Sequence, residues 1–245
     1  MAFVTGSGHG LGKAIAQLLA ESGAEVVVNS FHSRDRGEET AAEIVAAGGK
    51  AVHLWGSVAQ PEQLKGLFAE IERRHGHLDF FVSNASNGII APLDQVTPEQ
   101  WERAFRTNVV ALHQGALHAA RLMKPRGGGR IVCLSSPGAH QYIDQFGCMG
   151  PIKAALESLT RYLAVDLGSH NIQVNCVSAG PVYGDLLNHY PDHQRLIPYW
   201  ESITPGQRLG NEQSIARVVR FLLSPESAMM NGSVVLVDGA GSIRV

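Results

Sequence analysis

The sequence predicts a three-layer α/β fold, in which a doubly wound, parallel, seven-stranded sheet lies between two layers of helices. Three observations predict it. The chain of 245 residues is 44% hydrophobic and 17% charged, so it can bury a full core. Short runs rich in β-branched residues alternate with amphipathic helical segments along the chain. Several of these runs are apolar on both faces, as parallel strands covered by helices on each side are.

The predicted elements alternate along the whole chain. The strands are expected at Phe3–Thr5, Glu25–Asn29, Ala51–Trp55, Asp79–Ser83, Arg130–Leu134, Gln173–Val177 and Val234–Val237. The helices are expected at Gly12–Ser22, Arg36–Ala47, Pro61–His75, Pro98–Met123, Pro151–Leu167 and Glu212–Leu223. The fourth helix is expected to begin with a capping box formed by Thr97 and Gln100. Pro98 occupies its first helical position, where proline is favoured. Because no repeat or Pro/Ser-rich linker interrupts this order, one domain over residues 1–245 is expected.

Residues 181–206 depart from the alternation. They contain four prolines, three tyrosines, one tryptophan and two histidines. A long connection of this composition after a strand predicts a lid over a site at the carboxyl ends of the strands. Tyr183 and Tyr190 in this segment are candidate substrate contacts, and the alternative for each is a packed aromatic side chain.

Composition excludes several classes of function. The formal net charge is −2 without a basic stripe, so neither nucleic acid nor a membrane surface is expected as a partner. No apolar run approaches the roughly 18 residues that span a bilayer, and the first residues show no signal-peptide pattern. An odd number of cysteines, at Cys133, Cys148 and Cys176, favours free thiols in a reducing compartment. A cytoplasmic location is therefore expected.

A glycine-rich turn connects the first strand to the first helix. Glycines let the backbone turn tightly and approach a pyrophosphate, whose charge meets the N-terminus of the helix. The alternative is an ordinary tight turn, but the position at the start of a βαβ unit favours a Rossmann-type dinucleotide site. The expected cofactor contacts in this turn are Gly6, Ser7, Gly8, His9, Gly10, Leu11 and Gly12.

The turn resembles the Thr-Gly-x-x-x-Gly-x-Gly fingerprint of the short-chain dehydrogenase/reductase family, and the resemblance extends over essentially the whole chain. Ser83, Asn84 and Ala85 are similar to the Asn-Asn-Ala-Gly of that family, with Ser86 at the position of its glycine. Val237–Gly239 is similar to its C-terminal strand. The resemblance implies an NAD(P)-dependent oxidoreductase that assembles as a homodimer or homotetramer.

The same resemblance implies roles for individual residues. Asn108, Ser136 and Lys153 fall at the active-site Asn, Ser and Lys of the family. Lys153 is expected to anchor the ribose of the nicotinamide half, and the alternative is a solvated helix lysine. Ser136 is expected to polarise a substrate carbonyl, and the alternative is a strand-end cap. Asn108 lies in mid-helix, where Asn is unfavourable, which indicates a positioned water or a helix bulge. The further implied cofactor contacts are Asn84, Ala85, Gly180 and Val182.

The end of the second strand bears on the choice of cofactor. NAD-preferring sites place an acid there to bind the ribose 2′-hydroxyl, whereas this chain has Asn29 and Ser30. Asn29 at this position is expected to contact the cofactor. Arg34, with His32, is a candidate partner for a 2′-phosphate, and the alternative is a solvated loop residue. NADP(H) is therefore expected over NAD(H). The family's Asp-Val near the adenine corresponds to Ser57 and Val58, which are expected to contact the cofactor here.

The usual proton-donating tyrosine of the family is absent. The common pattern places it four residues before the lysine, where this chain has Met149. The enoyl-acyl-carrier-protein reductase branch has Tyr-x-x-Met-Gly-x-x-Lys, which resembles residues 146–153, but its tyrosine corresponds to Phe146. Loss of a general acid typically lowers the rate by ~10²–10⁴-fold. Tyr142 is the nearest candidate replacement, and Phe146 and Met149 are expected to shape an acyl channel.

Three functions remain open from the sequence. The leading hypothesis is an NADP(H)-dependent oxidoreductase acting on an acyl thioester, either small or bound to a carrier protein. The alternatives are a non-redox enzyme on the same scaffold (a dehydratase, isomerase or cyclase) and a silent partner subunit. The glycine turn favours retained cofactor binding, whereas the missing tyrosines favour the alternatives. The histidine pairs His75/His77 and His189/His193 lack a third ligand, so no metal site is expected.

Overall fold

The computed structural model describes residues 1–184, 187, 190 and 192–243. The strands are β1 (Ala2–Val4), β2 (Glu25–Ser30), β3 (Lys50–Trp55), β4 (Phe80–Ser83), β5 (Gly129–Ser135), β6 (Ile172–Ala179), β7 (Val182–Tyr183), β8 (Gly210–Asn211) and β9 (Val234–Val237). The α-helices are α1 (Gly10–Glu21), α2 (Arg34–Ala46), α3 (Pro61–His75), α4 (Pro98–Phe105), α5 (Ala111–Met123), α6 (Met149–Gly168), α7 (His193–Ile203) and α8 (Glu212–Leu222).

The seven-stranded parallel sheet predicted from the sequence is confirmed. Its strand order is β3-β2-β1-β4-β5-β6-β9, and all of its strand pairs are parallel. Val4 of β1 lies opposite both Val28 of β2 and Val82 of β4. The chain reverses its winding direction between β1 and β4, and this switch point opens a crevice at the carboxyl ends of the strands.

Apolar clusters on the two faces of the sheet hold the three layers together. One cluster joins Phe3 and Phe81 of the sheet to Phe68 of α3, with ring centroids 5.2 to 5.7 Å apart. The other packs Ile15 of α1 and Ile215 of α8 against the opposite face. Burial of each large apolar side chain stabilises the fold by about 1.5–3 kcal/mol. The two clusters therefore hold the helices firmly against the sheet on either side of the crevice.

The predicted helix over Pro98–Met123 is interrupted, so its continuity was wrong. A π-helical turn over Arg106–Val110 separates α4 from α5. The capping box before α4 is present, since Thr97 Oγ1 accepts a hydrogen bond from the Gln100 amide and Gln100 Oε1 accepts one from the Thr97 amide. The bulge expected at Asn108 is the π turn, where the regular backbone hydrogen-bond pattern is shifted by one residue.

The lid segment contains an unexpected helix. α7 buries Leu196 and Trp200, and Trp200 packs edge-to-face on Tyr190 at a centroid distance of 5.4 Å. β7, near the start of the segment, pairs in parallel with β8, which follows its end, and Val182 lies opposite Gly210. α7 contains an internal proline, Pro198. The prolines of residues 181–206 had favoured an irregular connection over a helix at this place.

Two negative findings apply to the described ranges only. Within them, no helix combines the length and the apolar character that crossing a membrane requires. Nor do three His, Cys, Asp or Glu side chains of residues 1–184, 187, 190 and 192–243 come together as a potential metal site. His189, one of the histidines considered above, lies outside the described residues.

Candidate active site

The glycine turn is compressed between β1, α1 and the segment after β4. Gly6 has φ +61°, and a Cβ atom there would lie 2.9 Å from Ala85 Cα. A Cβ atom on Gly12 would lie 2.5 Å from Asn84 Nδ2 and would collide with the Gly6 carbonyl oxygen. Both positions therefore require glycine. α1 starts directly after His9, whose side chain makes no cap hydrogen bond at this helix N-terminus. The N-terminus of a helix is the end that attracts an anion.

Two asparagines brace this turn from below. Asn84 Nδ2 donates to the carbonyl oxygens of Thr5 and Gly6 at 2.9 and 3.0 Å. Asn29 Oδ1 accepts from the Gly6 amide at 3.3 Å, and Asn29 Nδ2 donates to the Leu54 and Gly56 carbonyls. Asn29 is 2% exposed and makes these contacts to the protein itself, so its side chain supports the turn.

Arg34 is an exposed cation at the start of α2. Its Nε donates to Glu38 Oε1 at 2.8 Å, and both side chains are more than half exposed. An exposed pair of this kind contributes only ~0–1 kcal/mol, so redirecting Arg34 towards a phosphate costs little. Ser57 and Val58, the expected contacts near the adenine, are buried, and the Ser57 amide donates to Gln63 Oε1 at 2.8 Å.

Sequence reasoning missed His53, which lies beneath the end of β2. Ser30 Oγ donates to the Ser33 carbonyl at 2.7 Å and lies 2.9 Å from His53 Nε2. Because the hydroxyl proton goes to Ser33, the His53 Nε2 is the donor to Ser30. Burial lowers the pKa of His53. A histidine inside a β-branched strand run gives no sequence signal for this contact.

Lys153, Asn108 and Ser86 meet at one point. Lys153 Nζ donates to Asn108 Oδ1 at 3.1 Å and to the Leu134 carbonyl at 2.8 Å. Ser86 Oγ donates to the same Asn108 Oδ1 at 2.8 Å. The structure thus brings together the two residues expected from the sequence and adds Ser86, which the sequence marked only as a departure from glycine.

Lys153 is an ammonium group in an almost closed environment. It is 7% exposed, and burial lowers its pKa, while the nearby Cys176, Cys133 and Glu157 act in the opposite direction. Glu157 lies one helical turn beyond Lys153 and is 1% exposed. A buried cation with a nearby carboxylate is typical of a functional site, although structural networks share this property.

The segment after β5 carries Ser136 and His140. Ser136 Oγ accepts from the Gly138 amide at 3.4 Å and caps a short 3₁₀ turn. Because that contact uses an oxygen lone pair, the proton of the Ser136 hydroxyl can point towards a ligand. The preceding Ser135 Oγ donates to Glu157 Oε1 at 2.6 Å, and His140 Nε2 hydrogen-bonds Glu157 Oε2.

The two usual tyrosine positions lie in apolar packing. Met149 is the first residue of α6 and is 6% exposed, and a Cβ atom on Gly88 would lie 2.6 Å from its Cγ. Phe146 contacts the cluster of Met149 and Ile89 as well as the cluster of Tyr190 and Trp200. These side chains form an apolar wall beside Lys153.

The structure does not support Tyr142 as the proton donor. Its side chain is 87% exposed, and its hydroxyl donates to Asp144 Oδ1 at 3.4 Å. The loop between β5 and α6 turns this residue to solvent, a path that the sequence did not fix. Tyr183 instead donates to Glu201 of α7, and Tyr190 is buried, which raises its pKa to about 12.

Gly180 and Val182 follow β6 at the carboxyl edge of the sheet. The Gly180 amide donates to the Val237 carbonyl at 3.0 Å, and a Cβ atom on Gly180 would lie 2.6 Å from Asp238 Cβ. Val182 lies in β7 at the start of the lid. Both residues therefore lie where residues 181–206 leave the sheet.

The chain is similar to known proteins over nearly its full length. A family model described as enoyl-(acyl carrier protein) reductase matches residues 6–241. A hydroxynaphthalene reductase-like protein of Metarhizium guizhouense is 37% identical, covering 99% of this chain and 94% of that protein. The 1-cyclohexenylcarbonyl-CoA reductase of Streptomyces collinus is 34% identical, with 99% and 87% covered.

Solved structures agree with these relatives. A gluconate 5-dehydrogenase from Burkholderia cenocepacia, crystallised with NADP and tartrate, superposes with a TM-score of 0.93 at 30% identity, covering 100% of this chain and 95% of that one. The relatives are thus more than one-third identical, and a family match spans most of the chain. The chain therefore belongs to the short-chain dehydrogenase/reductase family of NAD(P)-dependent oxidoreductases.

Proposed function

We propose that this chain is an NADP(H)-dependent reductase of α,β-unsaturated or β-keto acyl thioesters. The observation that carries the proposal is the buried Lys153–Asn108 pair at the crevice of the sheet, on the same edge as the braced glycine turn. A bound nicotinamide would supply the hydride. The exposed Arg34, and the absence of an acid at residues 29 and 30, favour the 2′-phosphorylated nucleotide.

The residues beside Lys153 support an apolar acyl substrate. Phe146, Met149 and Ile89 provide a hydrophobic wall for the chain of the substrate. The Ser136 hydroxyl can donate a hydrogen bond to the substrate oxygen on which charge develops, and the Lys153 ammonium lowers the energy of that charge. The relative that reduces a cyclohexenylcarbonyl-CoA, by its name, supports a thioester.

A second function is favoured by the same wall. Neither Phe146 nor Met149 can transfer a proton, and Tyr142 faces solvent. A site that keeps the nucleotide but lacks a tyrosine hydroxyl suits a reaction without net redox change, such as a dehydration or isomerisation. In this alternative the nucleotide-binding residues keep their role, but the bound nucleotide undergoes no net oxidation or reduction.

The test is NADPH oxidation, followed at the nicotinamide absorbance, with a panel of enoyl and β-ketoacyl thioesters that includes 1-cyclohexenylcarbonyl-CoA. Stoichiometric NADPH consumption supports the reductase. Conversion of substrate without NADPH consumption supports the alternative. The variant Phe146→Tyr restores a ring hydroxyl, and a gain of up to ~10²-fold in the reductase rate is expected because a general acid is regained.

We also propose a homo-oligomer for this chain. Leu117 of α5 and the α6 residues Tyr162 and Val165 are exposed by 46%, 70% and 79%. Large apolar side chains on neighbouring helices are typical of a subunit interface. Val165→Asp is expected to lower the molar mass measured by light scattering. Ser224→Ala, just beyond α8 in the opposite helical layer, is expected to leave it unchanged.

A further inference from the structure

Both ends of the segment that carries Ser136 bind to one carboxylate. Ser135 donates through its hydroxyl to Glu157 Oε1 at 2.6 Å. His140 hydrogen-bonds through Nε2 to the other oxygen of that carboxylate, Glu157 Oε2. An ionised carboxylate only accepts, so Nε2 of His140 carries the hydrogen in this contact. Glu157 thus holds residues 135–140, here called the serine turn, at the first and the last residue.

The backbone between these two contacts is tied by its own hydrogen bonds. The Ala139 amide donates to the Ser136 carbonyl at 2.9 Å, and the Gly138 amide donates to Ser136 Oγ at 3.4 Å. The His140 amide donates to the Pro137 carbonyl at 2.9 Å. Few backbone conformations satisfy all three bonds, so a carboxylate that fixes both ends of the serine turn also fixes the position of the Ser136 hydroxyl.

Glu157 connects the serine turn to the helix that carries Lys153. The two residues lie one helical turn apart on α6, and within the described ranges no other Asp, Glu, Lys or Arg side chain is buried. They bind consecutive residues of β5, since Lys153 donates to the Leu134 carbonyl and Glu157 accepts from the Ser135 hydroxyl. The ammonium and the carboxylate are therefore close together, in surroundings where opposite charges attract more strongly than in water.

In the proposed function, Ser136 and Lys153 act on the same substrate oxygen, so the rate depends on their relative position. We propose that Glu157 is a positioning residue with two effects: its two oxygens set the Ser136 hydroxyl relative to Lys153, and its charge keeps Lys153 in the ammonium form. His140 contributes to the first effect only, because it holds the serine turn without supplying the negative charge. This inference rests on the proposed function.

The effect of the charge has a defined direction. Burial lowers the pKa of Lys153, and three groups oppose it: Cys176 of β6, Cys133 of β5 and Glu157 of α6. The serine turn adds His140, whose imidazole contacts Glu157. Replacement of Glu157 by a neutral residue leaves the two thiols and removes the carboxylate, so the pKa of Lys153 falls further. Activity that needs the ammonium form is then lost at a lower pH.

Three variants separate the two effects. Glu157→Gln removes the charge and keeps the contacts, because its amide oxygen accepts from Ser135 and its NH₂ group donates to the other tautomer of His140. His140→Ala releases one end of the serine turn and keeps the charge. Glu157→Ala removes both. Glu21→Gln removes an exposed carboxylate at the last residue of α1 and is the matched control.

The first measurement is the rate of NADPH oxidation with a thioester substrate, across neutral and alkaline pH. At neutral pH, kcat is expected to stay within about twofold of the parent value in Glu157→Gln and to fall about tenfold in Glu157→Ala. The alkaline decline of the rate is expected at lower pH in Glu157→Gln than in the parent protein, and at the parent pH in His140→Ala. An unshifted decline in Glu157→Gln would overturn the charge effect.

The second measurement, hydrogen–deuterium exchange of the peptide that covers the serine turn, does not require turnover. Faster exchange is expected in Glu157→Ala and His140→Ala than in Glu157→Gln and the parent protein. Equal exchange in Glu157→Ala and the parent protein would overturn the positioning effect, even if the reductase activity is found. If the parent protein oxidises no NADPH with any thioester, the proposed function fails and the catalytic role of Glu157 fails with it, whereas faster exchange in Glu157→Ala would still support its hold on the serine turn.

Discussion

Glu157, with a side chain 2% exposed, accepts a hydrogen bond from the imidazole of His140, with a side chain 68% exposed. The same carboxylate accepts from Ser135 at 2.6 Å. Glu157 thus ties the end of β5 and the following loop to the helix that carries Lys153. Its position one turn beyond Lys153 makes it part of the support of the site.

The unequal burial of this pair leads to unequal effects of mutation. Glu157→Ala leaves the buried Ser135 hydroxyl without its acceptor and is expected to lower the free energy of unfolding by about 1–3 kcal/mol. His140→Ala removes only the exposed partner and is expected to cost less than about 1 kcal/mol. Urea denaturation measures both. Equal losses in the two variants would show that Glu157 is not the anchoring partner.

Glycine at position 12 is required by the space around it. Gly12→Ala places a methyl group against the Gly6 carbonyl and Asn84, so the turn has to open. NADPH binding is expected to weaken by at least about tenfold, since the amides that face the phosphates move. Gly66 in α3 provides the control, because a Cβ atom added there would have no neighbour within 4 Å. Gly66→Ala is expected to leave binding intact and to raise stability by about 0.5–1 kcal/mol.

Arg34 is the proposed determinant of the preference for NADPH over NADH. Arg34→Ala is expected to weaken binding of NADPH by about tenfold and to leave NADH binding unchanged, because only NADPH carries the 2′-phosphate. Fluorescence titration of both nucleotides measures this ratio. Arg36→Ala, two residues further along α2, is the matched loss of a cation. Parallel losses for NADH and NADPH in Arg34→Ala would contradict the preference.

Burial of the Lys153 ammonium group is expected to make the free energy of unfolding depend on pH in the alkaline range. Its pKa lies below the ordinary lysine value of 10.5 because burial disfavours the charged form. Between the lowered pKa of the folded protein and 10.5, the unfolded chain binds more protons at this residue, so stability rises with pH in that window. The rise in unfolding free energy is expected to be smaller in Lys153→Met. Identical pH dependence of the two proteins would show that Lys153 is not desolvated.

Much of this fold could be predicted from the sequence, because alternation of apolar runs and amphipathic helices reports burial directly. The first residues of helices were harder to predict. α6 begins at Met149 and not at Pro151. Proline is tolerated within the first turn of a helix, because the N–H that it lacks would have no partner in the helix there. The position of Pro151 therefore does not mark the first residue of α6. The π turn could be inferred only indirectly, from the unfavourable position of Asn108.

The site was predictable in part for a similar reason. Glycines with special packing, such as Gly6 and Gly12, and single conspicuous residues such as Lys153 stand out in a sequence. Contacts between distant segments do not, which is why the roles of Ser86 and His53 and the solvent-facing position of Tyr142 emerged only from the structure.

Phe146 belongs both to the apolar cluster at the first turn of α6 and to the cluster beneath α7. Any displacement of α7 would therefore separate contacts of a ring that also packs against the beginning of the lysine-bearing helix. The position of α7 and the order of the first turn of α6 are thus energetically coupled through this one side chain.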